Sequence, residues 1–378
     1  MDTHRSRLAL AMTGGGARAT YQVGLLRFLA RIVPDLETPI LTGVSGGAIN
    51  AAYLASRKGD FAGAVGRFTR LWCCITPDQI YRTESFHLWC NFFRWALRFV
   101  SGGSRAVPPT RGLMDTQPLR ALLTSSLKTE NGVLSGIARN IERGRLKAVG
   151  ITTSNYGTGQ SITWIQSDSI DPCTRVYRRG EFALLTVKHI VASAALPMLF
   201  PAIELNDGWH GDGGIRLTTP LSPAMHLGAD RILAISTRKE RKSEDLVSSI
   251  RGYPPPAQII GNLTNAVFLD MLDFDSLNMA RINQILRDLP EEKRAGLRPV
   301  EVLVLRPSED LGRLAARFES RLPRLVRFFV RGFGTRETEA PDSLALLMFQ
   351  QNYLDYLIHL GETDAEARAD EISGFLSL

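Results

Sequence analysis

Ser45 is the residue whose type and surroundings best suit nucleophilic chemistry. A short apolar run ends in the Gly-x-Ser-x-Gly pattern of residues 43–47, and a helix-forming run, Ala48 to Ala55, follows at once. This strand–turn–helix context holds a serine on a tight elbow, where its hydroxyl can act as a nucleophile. Gly43 and Gly46 lack a Cβ atom, so the predicted strand and helix can approach closely around Ser45. The serine oxygen then lies near a helix N-terminus, whose free N–H groups favour negative charge.

A second glycine-rich turn can supply hydrogen-bond donors for a developing negative charge. Residues 8–12 have the pattern of a buried strand and run straight into Gly14, Gly15 and Gly16, after which apolar residues recur at helical spacing. The backbone N–H groups of such a turn can hold a phosphate or an oxyanion. Gly14, Gly16 and Ala19 also fit the loose dinucleotide fingerprint, so a nucleotide site is the alternative for this segment taken alone.

An aspartate among glycines is a further candidate functional residue. Asp212 lies in the sequence His-Gly-Asp-Gly-Gly of residues 210–214, where a freely bending backbone can aim the carboxylate at a partner from elsewhere in the chain. Capping of a turn is the alternative role for an aspartate beside glycine. A Ser–His–Asp triad is the alternative mechanism, and His210 is the first candidate for its histidine.

In their order along the chain, these segments resemble the patatin-like phospholipases, which are lipid acyl hydrolases with a Ser–Asp dyad. Gly14–Arg18 resembles the oxyanion loop of the family, Gly43–Gly47 its nucleophile segment and Asp212–Gly214 the segment of its dyad acid. The Ala/Pro-rich block 192–201 and residues 112–119 also resemble family segments. The likeness covers roughly residues 7–240, and the three motifs together are specific where any one of them is not. Many relatives have a further glycine where this chain has Ala19, which is also small.

The resemblance implies a mechanism and assigns roles to the residues. Asp212 would accept the proton of the Ser45 hydroxyl, and Ser45 would attack the ester carbonyl of a lipid. The amides of Gly14–Gly16 would hold the tetrahedral oxyanion, and water would then cleave the acyl-enzyme. Arg18 would anchor the oxyanion loop or meet the lipid phosphate. No cofactor or metal is required, and the sequence has no His, Cys and Asp cluster with ligand spacing. The supporting positions are Gly43, Gly46 and Gly213.

Strand patterns that alternate with helical ones predict an α/β fold in which a mostly parallel central sheet is covered by helices. From about residue 310 the pattern is helical. We therefore expect a catalytic α/β domain over residues 7–310 and a helical C-terminal extension over residues 311–378 packed on it. The expected strands are Leu8–Met12, Ile40–Val44, Lys147–Thr152, Ser161–Ile165, Arg231–Ser236 and Val300–Leu305.

Composition and charge agree with this interpretation. The 378 residues, 44% of them hydrophobic, can hold one large domain or two modest ones. The longest apolar run, Val191 to Ile203, is too short for a membrane span and contains two prolines, and the polar N-terminus does not fit a signal peptide. Four cysteines without a Cys-x-x-Cys pair indicate a reduced, cytoplasmic setting. The net charge of +7 favours anionic partners; with these motifs we expect a membrane surface and no nucleic acid. Nothing in the sequence predicts an oligomeric state.

Two stretches suit a lipid surface, so a peripheral position at the membrane is expected. Residues 85–100 carry six aromatic side chains with Arg94 and Arg98 between them, and the Gly/Pro loop that follows would let a helix move as a lid. A buried aromatic helix is the alternative. From Arg313 to Arg331, arginines recur every three or four residues opposite an apolar face. A solvated cationic face is favoured there over binding of anionic lipid.

The sequence therefore predicts a serine acyl hydrolase that cleaves fatty-acyl esters of glycerophospholipids, of phospholipase A or lysophospholipase type. A carboxylesterase or thioesterase for smaller acyl substrates is the first alternative, because it would use the same nucleophile. A catalytically silent lipid-binding or regulatory protein is the second alternative. A serine-directed fluorophosphonate separates this last class from the hydrolases, because an inert serine does not react with it.

Overall fold

A ten-stranded mixed sheet forms the centre of the protein. The structure, a computed structural model, describes residues 7–82, 112–168, 177–240, 271–322 and 342–377, together with residues 93, 94, 97, 100–102, 174, 175, 259 and 327. The strands are β1 Leu8–Met12, β2 Ile40–Val44, β3 Ala148–Asn155, β4 Ser161–Ser167, β5 Thr174–Arg175, β6 Arg178–Phe182, β7 Ile203–Leu205, β8 Gly208–Asp212, β9 Arg231–Ile235 and β10 Glu301–Leu305.

Five neighbouring strands run parallel, in the order β10–β9–β1–β2–β3. β4 pairs antiparallel with β3, and β6 and β5 continue the sheet beyond it. β8 pairs antiparallel with the end of β3, where Thr153 lies opposite Asp212, and β7 forms a hairpin with β8. The expected mostly parallel sheet is confirmed, and its carboxyl edge carries Ser45 after β2 and the glycine loop after β1.

Helices cover both faces of this sheet, as expected. Strand β1 has Leu8, Leu10 and Met12 in one core and Ala9 and Ala11 in the other, so both of its faces are buried, as is usual for a parallel strand. Thirteen α-helices lie within the described residues: α1 Thr20–Ile32, α2 Gly46–Ala55, α3 Phe61–Cys73, α4 Pro77–Ile80, α5 Gln117–Ser126, α6 Ser135–Glu142, α7 Val187–Ser193, α8 Ser222–His226, α9 Met271–Asp288, α10 Leu311–Phe318, α11 Asp342–Leu347, α12 Gln351–Ala367 and α13 Ala369–Leu376.

All six strands expected from the sequence are present, with ends that differ by up to three residues. The short strands β5 to β8 were not expected. Strand β8 reads Gly-Trp-His-Gly-Asp, which has too few apolar residues to show an alternating pattern. It forms because its backbone pairs with the buried end of β3, and this pairing is what brings Asp212 to the carboxyl edge.

The aromatic stretch 85–100 is described only at residues 93, 94, 97 and 100. There the side chains of Phe93, Leu97 and Val100 are exposed. Trp89 and Trp95, on which the expected membrane contact depends most, lie outside the described residues.

The arginine stripe is described at its beginning. On α10, Arg313 and Arg317 are exposed, whereas Leu311 and Leu314 are buried in the core. The later positions 324 and 331 lie outside the described residues. Among the helices of the described residues, none combines the length and apolar character that crossing a membrane requires.

The C-terminal helix α12 packs directly on α1. Gly24 and Gly361 face each other at this crossing: a Cβ atom on Gly24 would collide with the carbonyl group of Ile358, and one on Gly361 with that of Tyr21. The Tyr21 hydroxyl also donates a hydrogen bond to Asp364, at 2.9 Å. The two helix backbones thus touch through glycines, which fixes α12 against the α/β part. The division of the chain at residue 310 stays a prediction.

Gly24→Ala is expected to destabilise the protein by about 1–3 kcal/mol, because the added methyl group forces α1 and α12 apart. The measurement is the free energy of unfolding in urea. Gly66→Ala on α3 is the matched control, since a Cβ atom there meets nothing within 4 Å. Removing that helical glycine should raise stability by up to about 1 kcal/mol. Equal stability of the Gly24 variant and wild type would contradict the tight crossing.

Candidate active site

Ser45 lies on the turn between β2 and α2 with φ 54° and ψ −127°, a conformation that non-glycine residues rarely adopt. The close packing of glycines around it forces this turn: a Cβ atom on Gly43 would collide with the carbonyl of Gly47, and one on Gly47 with that of Met12. The Ser45 side chain is almost fully buried, with 3% of its residue surface exposed. The sequence-predicted strand–turn–helix elbow is therefore present around this serine.

A hydroxyl group that was not predicted holds the elbow in place. The Ser45 N–H donates to Ser193 Oγ at 2.9 Å, and Ser193 Oγ in turn donates to the Thr152 carbonyl at 2.6 Å. Ser193 is fully buried at the end of α7. It lies within the Ala/Pro-rich block that resembles a family segment, but no sequence signal assigns its hydroxyl this role.

The glycine loop after β1 lies directly against Ser45. A Cβ atom on Gly14 would lie 3.0 Å from Ser45 Cβ and 3.7 Å from its Oγ. Gly16 has φ 55°, and a Cβ atom there would collide with the carbonyl of Leu346 from α11. The N–H groups of Gly14 and Gly15 donate no hydrogen bond to a described residue, so they are available next to Ser45.

Three polar side chains, none of them predicted, keep this loop in place. Thr237 Oγ1 donates to the Gly14 carbonyl at 2.6 Å. Gln22 Nε2 donates to the carbonyl of Thr13 at 2.9 Å. Asn50 of α2 donates to the Gln22 side chain at 2.7 Å and thereby connects the loop to the helix behind Ser45. Gln22 and Asn50 are polar positions in otherwise apolar segments, which is the only signal the sequence contains for them.

Asp212 ends strand β8 and is completely buried. Its Oδ1 accepts a hydrogen bond from the Gly214 N–H at 2.8 Å, and a Cβ atom on Gly213 would collide with the Thr152 carbonyl. Burial raises the pKa of Asp212 to about 7, although the Ser45 hydroxyl and the Gly214 N–H both act to lower this pKa. The fold thus brings together Ser45 and Asp212 from segments far apart in the sequence.

The contact between these two side chains is looser than an ordinary hydrogen bond. The Ser45 hydroxyl lies close enough to stabilise the ionised form of Asp212. However, Oδ2 of Asp212 is buried and makes no hydrogen bond of normal length and angle with a described residue. Catalytic hydrogen bonds are often long in a protein without substrate. A carboxyl group left half satisfied in this way retains its proton more strongly than one in water.

Histidine side chains near the site have other partners. His210 is fully buried, with Nδ1 at 2.9 Å from Thr153 Oγ1 and Nε2 at 2.7 Å from Asp207 Oδ1. His189 Nδ1 accepts the Thr186 N–H at 3.1 Å, and burial lowers the pKa of His189 to about 4. Both rings contact Trp164 in a tilted arrangement, and neither hydrogen bonds to Ser45. No group of three His, Cys, Asp or Glu side chains suited to a metal occurs among the described residues.

Arg18 lies in the 3₁₀ turn Gly16–Ala19, and only 2% of its surface is exposed. Its backbone N–H donates to the Gly15 carbonyl at 3.0 Å, so this residue closes the glycine loop on itself. The sequence left open whether the guanidinium anchors the loop or meets a lipid phosphate. Burial to this degree favours the anchoring role, because a head group outside the fold cannot reach the charge.

An apolar cleft ends at Gly16, Ser45 and Gly46. Its walls come from α2 to α5, from the segment after α7, from Leu346 of α11, and from Phe349 between α11 and α12. Such a lining can hold a hydrocarbon chain with its ester next to Ser45. The sequence did not identify these residues, because they look like ordinary core positions of helices. Those that line the cleft most closely include Ile49, Trp72, Leu123, Phe200, Leu346 and Phe349.

Comparison with known proteins shows the family of this chain. A family profile described as patatin-like phospholipase matches residues 10–225. The chain belongs to the patatin-like phospholipase family. A patatin-like phospholipase domain-containing protein of Aspergillus clavatus is 32% identical over 105 residues, which are 28% of this chain and 13% of that protein. The corresponding protein of Neosartorya fischeri is 31% identical with the same coverage. The aligned part thus spans about an eighth of the length of these curated relatives.

Three solved structures similar to this patatin-like chain are distant from it in sequence. Human GIVD cytosolic phospholipase A2 has a TM-score of 0.46 and 14% identity, covering 98% of this chain and 60% of that chain. VipD from Legionella pneumophila has a TM-score of 0.35 and 12% identity, covering 80% of this chain and 61% of that chain. ExoU in complex with SpcU from Pseudomonas aeruginosa has a TM-score of 0.29 and 14% identity, covering 99% of this chain and 74% of that chain.

Asp212→Asn is expected to stabilise the protein increasingly as the pH rises from 4 to 7. The folded-state pKa of about 7 lies above the ordinary value of 3.8, so the wild type loses stability as the pH rises from about 4 to 7. This loss reaches on the order of 4 kcal/mol above pH 7, and the neutral amide avoids it. The measurement is the difference in Tm between variant and wild type at each pH. Asp35→Asn at an exposed position is the control and should show no such trend. A Tm difference independent of pH would contradict the raised pKa.

Proposed function

We propose that this chain is a serine acyl hydrolase that cleaves fatty-acyl esters of glycerophospholipids, of phospholipase A or lysophospholipase type. The observation that carries the proposal is the convergence of Ser45 and a buried Asp212, whose pKa is about 7, at the end of an apolar cleft. Membership of the patatin-like phospholipase family supports a lipid substrate. The apolar walls favour a fatty-acyl chain over a small polar acyl group.

In the first step, ionised Asp212 accepts the proton of the Ser45 hydroxyl while Oγ attacks the ester carbonyl. A base works best when its pKa is close to the working pH, and an ordinary aspartate would be too weakly basic. Burial without a normal partner for Oδ2 supplies the higher basicity. The positive φ of Ser45 supports this role, because it turns the side chain away from the helix towards the loop after β1.

The developing oxyanion is then stabilised by backbone N–H groups of Gly14, Gly15 and Gly16, with the N-terminus of α2 adding a favourable dipole. The intermediate collapses, the C–O bond to the glycerol breaks, and protonated Asp212 returns its proton to the leaving alkoxide. Water attacks the acyl-enzyme in the same way, with Asp212 again as base, and releases the fatty acid. The proton balance therefore needs only Ser45, Asp212 and water.

The remaining predicted positions support this geometry in the proposal. Gly43, Gly46 and Gly213 let the backbone segments approach where a Cβ atom would collide, and Arg18 anchors the glycine loop. We propose action at the membrane surface as a peripheral protein, because the substrate is a bilayer component. The free thiols of Cys73 and Cys74 fit the expected cytoplasmic setting.

Ser45→Ala should abolish release of fatty acid from mixed phospholipid vesicles, with a loss on the order of 10⁶-fold in turnover, while the fold is retained. Product analysis by mass spectrometry, together with labelling by a fluorophosphonate, measures both the reaction and the reactivity of the serine. Labelling without phospholipid turnover would favour the smaller-substrate esterase or thioesterase. If the wild type is not labelled, the result would support the alternative of a catalytically silent lipid-binding protein.

Wild-type kcat/KM on a soluble ester should fall about tenfold per pH unit below pH 7, because the base must be ionised. Asp212→Asn should lose nearly as much activity as Ser45→Ala. His210→Gln, which keeps a side-chain N–H donor for Asp207, should retain substantial turnover with the same pH profile. A loss in this histidine variant equal to that of Ser45→Ala, at equal folded content, would replace the dyad by a triad.

A further inference from the structure

A second, strongly basic pocket lies at the opposite end of α2 from Ser45. It is formed by the C-terminal end of α2, the outer side of α3, and the turn that joins α5 to α6. Measured to its open mouth it encloses about 850 Å³, more than the apolar cleft at Ser45. We call it the basic pocket. Its lining residues include one carboxylate, that of Glu130. The residues that give the pocket its positive charge are Arg57, Lys58, Arg67, Lys128 and Arg139.

Two cations of the basic pocket are held by hydrogen bonds to neutral groups. Among the described residues, none of the five makes an ion pair with a carboxylate. Arg57 is instead fixed by a hydrogen bond of 2.7 Å to Thr38 Oγ1, and Arg67 donates to the Lys58 carbonyl. Glu130 accepts a hydrogen bond from Ser135 Oγ at 3.3 Å. A cluster of this kind repels itself, and a bound anion would relieve the repulsion.

The titration of Arg57 agrees with crowding of positive charge. Burial lowers the pKa of Arg57, and the nearby Arg145 guanidinium lowers it further, while Glu37 acts in the opposite direction. Two arginines that oppose each other's charge beside an open pocket are costly unless an anion is present. The helix backbone adds to this field: α6 begins at Ser135, and Ser135 and Gly136 line the pocket with the positive end of its dipole.

We propose that the basic pocket binds a small soluble polyanion that carries two or more phosphate groups. Several cations around one space of this size exceed what a single phosphate can engage, whereas a diphosphate or polyphosphate can contact cations on opposite walls. Lys128 lies on the turn after α5 and Arg139 on α6, so the ligand would connect separate elements.

The position of the pocket favours a soluble ligand over a membrane lipid. α2 starts at the carboxyl edge of the sheet, next to Ser45, and ten residues carry it about 15 Å back towards the amino edge. The basic pocket therefore lies towards the amino edge of the sheet, whereas the apolar cleft opens at the carboxyl edge. A bilayer that delivers substrate to Ser45 would not also lie against Lys58 and Lys128. This binding site is independent of the proposed reaction, since it shares no residue with the site at Ser45.

Binding is tested by calorimetric titration of the full chain with pyrophosphate and with inositol hexakisphosphate. Wild type should bind at least one of these two anions. The double variant that combines Lys128→Gln and Arg139→Gln should bind at least tenfold more weakly. Arg281→Gln with Arg287→Gln is the matched control, because both arginines are exposed on α9 and removing them changes the net charge equally. Lys128→Gln alone, at an exposed position, provides a milder variant whose smaller loss must lie in the same direction.

Three results would overturn the proposal. The first is that folded wild type binds neither probe. The second is that the control pair loses as much affinity as the Lys128 and Arg139 pair, which would indicate attraction by net charge only. The third is binding to vesicles that contain a phosphorylated inositol lipid but not to either soluble probe, which would assign the pocket to a membrane. Covalent blocking of Ser45 by a fluorophosphonate should leave pyrophosphate binding unchanged; loss of binding would place the anion at the apolar cleft instead.

Discussion

Backbone segments meet around Ser45 so closely that several of them have no room for a side chain. Gly43 and Gly47 pack β2, α2 and the end of β1 together, and Gly213 packs the segment after β8 on β3. This close contact holds Ser45 at a positive φ, a conformation that costs energy and persists only when its surroundings enforce it. It also places the loop after β1 within van der Waals distance of the nucleophile. A substitution at any of these glycines would therefore disturb the nucleophile and its neighbours together.

Burial of Asp212 is the second consequence of this packing. The carboxyl group has one backbone donor, from Gly214, and the Ser45 hydroxyl as a loose neighbour, which is less than an ionised carboxylate requires. The protein therefore gives up stability at neutral pH and gains an aspartate whose proton affinity suits acid–base chemistry. Hydrogen bonds of His210 to Thr153 and Asp207 stabilise the sheet beside Ser45 and Asp212, so the histidine contributes to the scaffold.

The C-terminal helices belong to the same physical unit as the site. α12 is fixed on α1 by the Gly24–Gly361 contact, and the residues just before it complete the apolar cleft through Leu346 and Phe349. The carbonyl of Leu346 also faces Gly16, which explains why this position of the loop has no side chain. Chain beyond the family match at residue 225 therefore supplies part of the surface that an acyl chain would contact.

Glycine spacing around Ser45, the glycine loop and the Asp-Gly-Gly segment were sufficient to predict the family. Apolar strand patterns that alternate with helical ones predicted the α/β class and six of the strands. These features are local, because apolar runs and glycines act through neighbouring residues. Strand β8, the Ser193 hydroxyl beneath Ser45, the basic pocket and the cleft walls such as Trp72 were decided only by tertiary structure. They arise where segments far apart in sequence come together, and the raised pKa of Asp212 is an effect of the same burial, which no local pattern encodes.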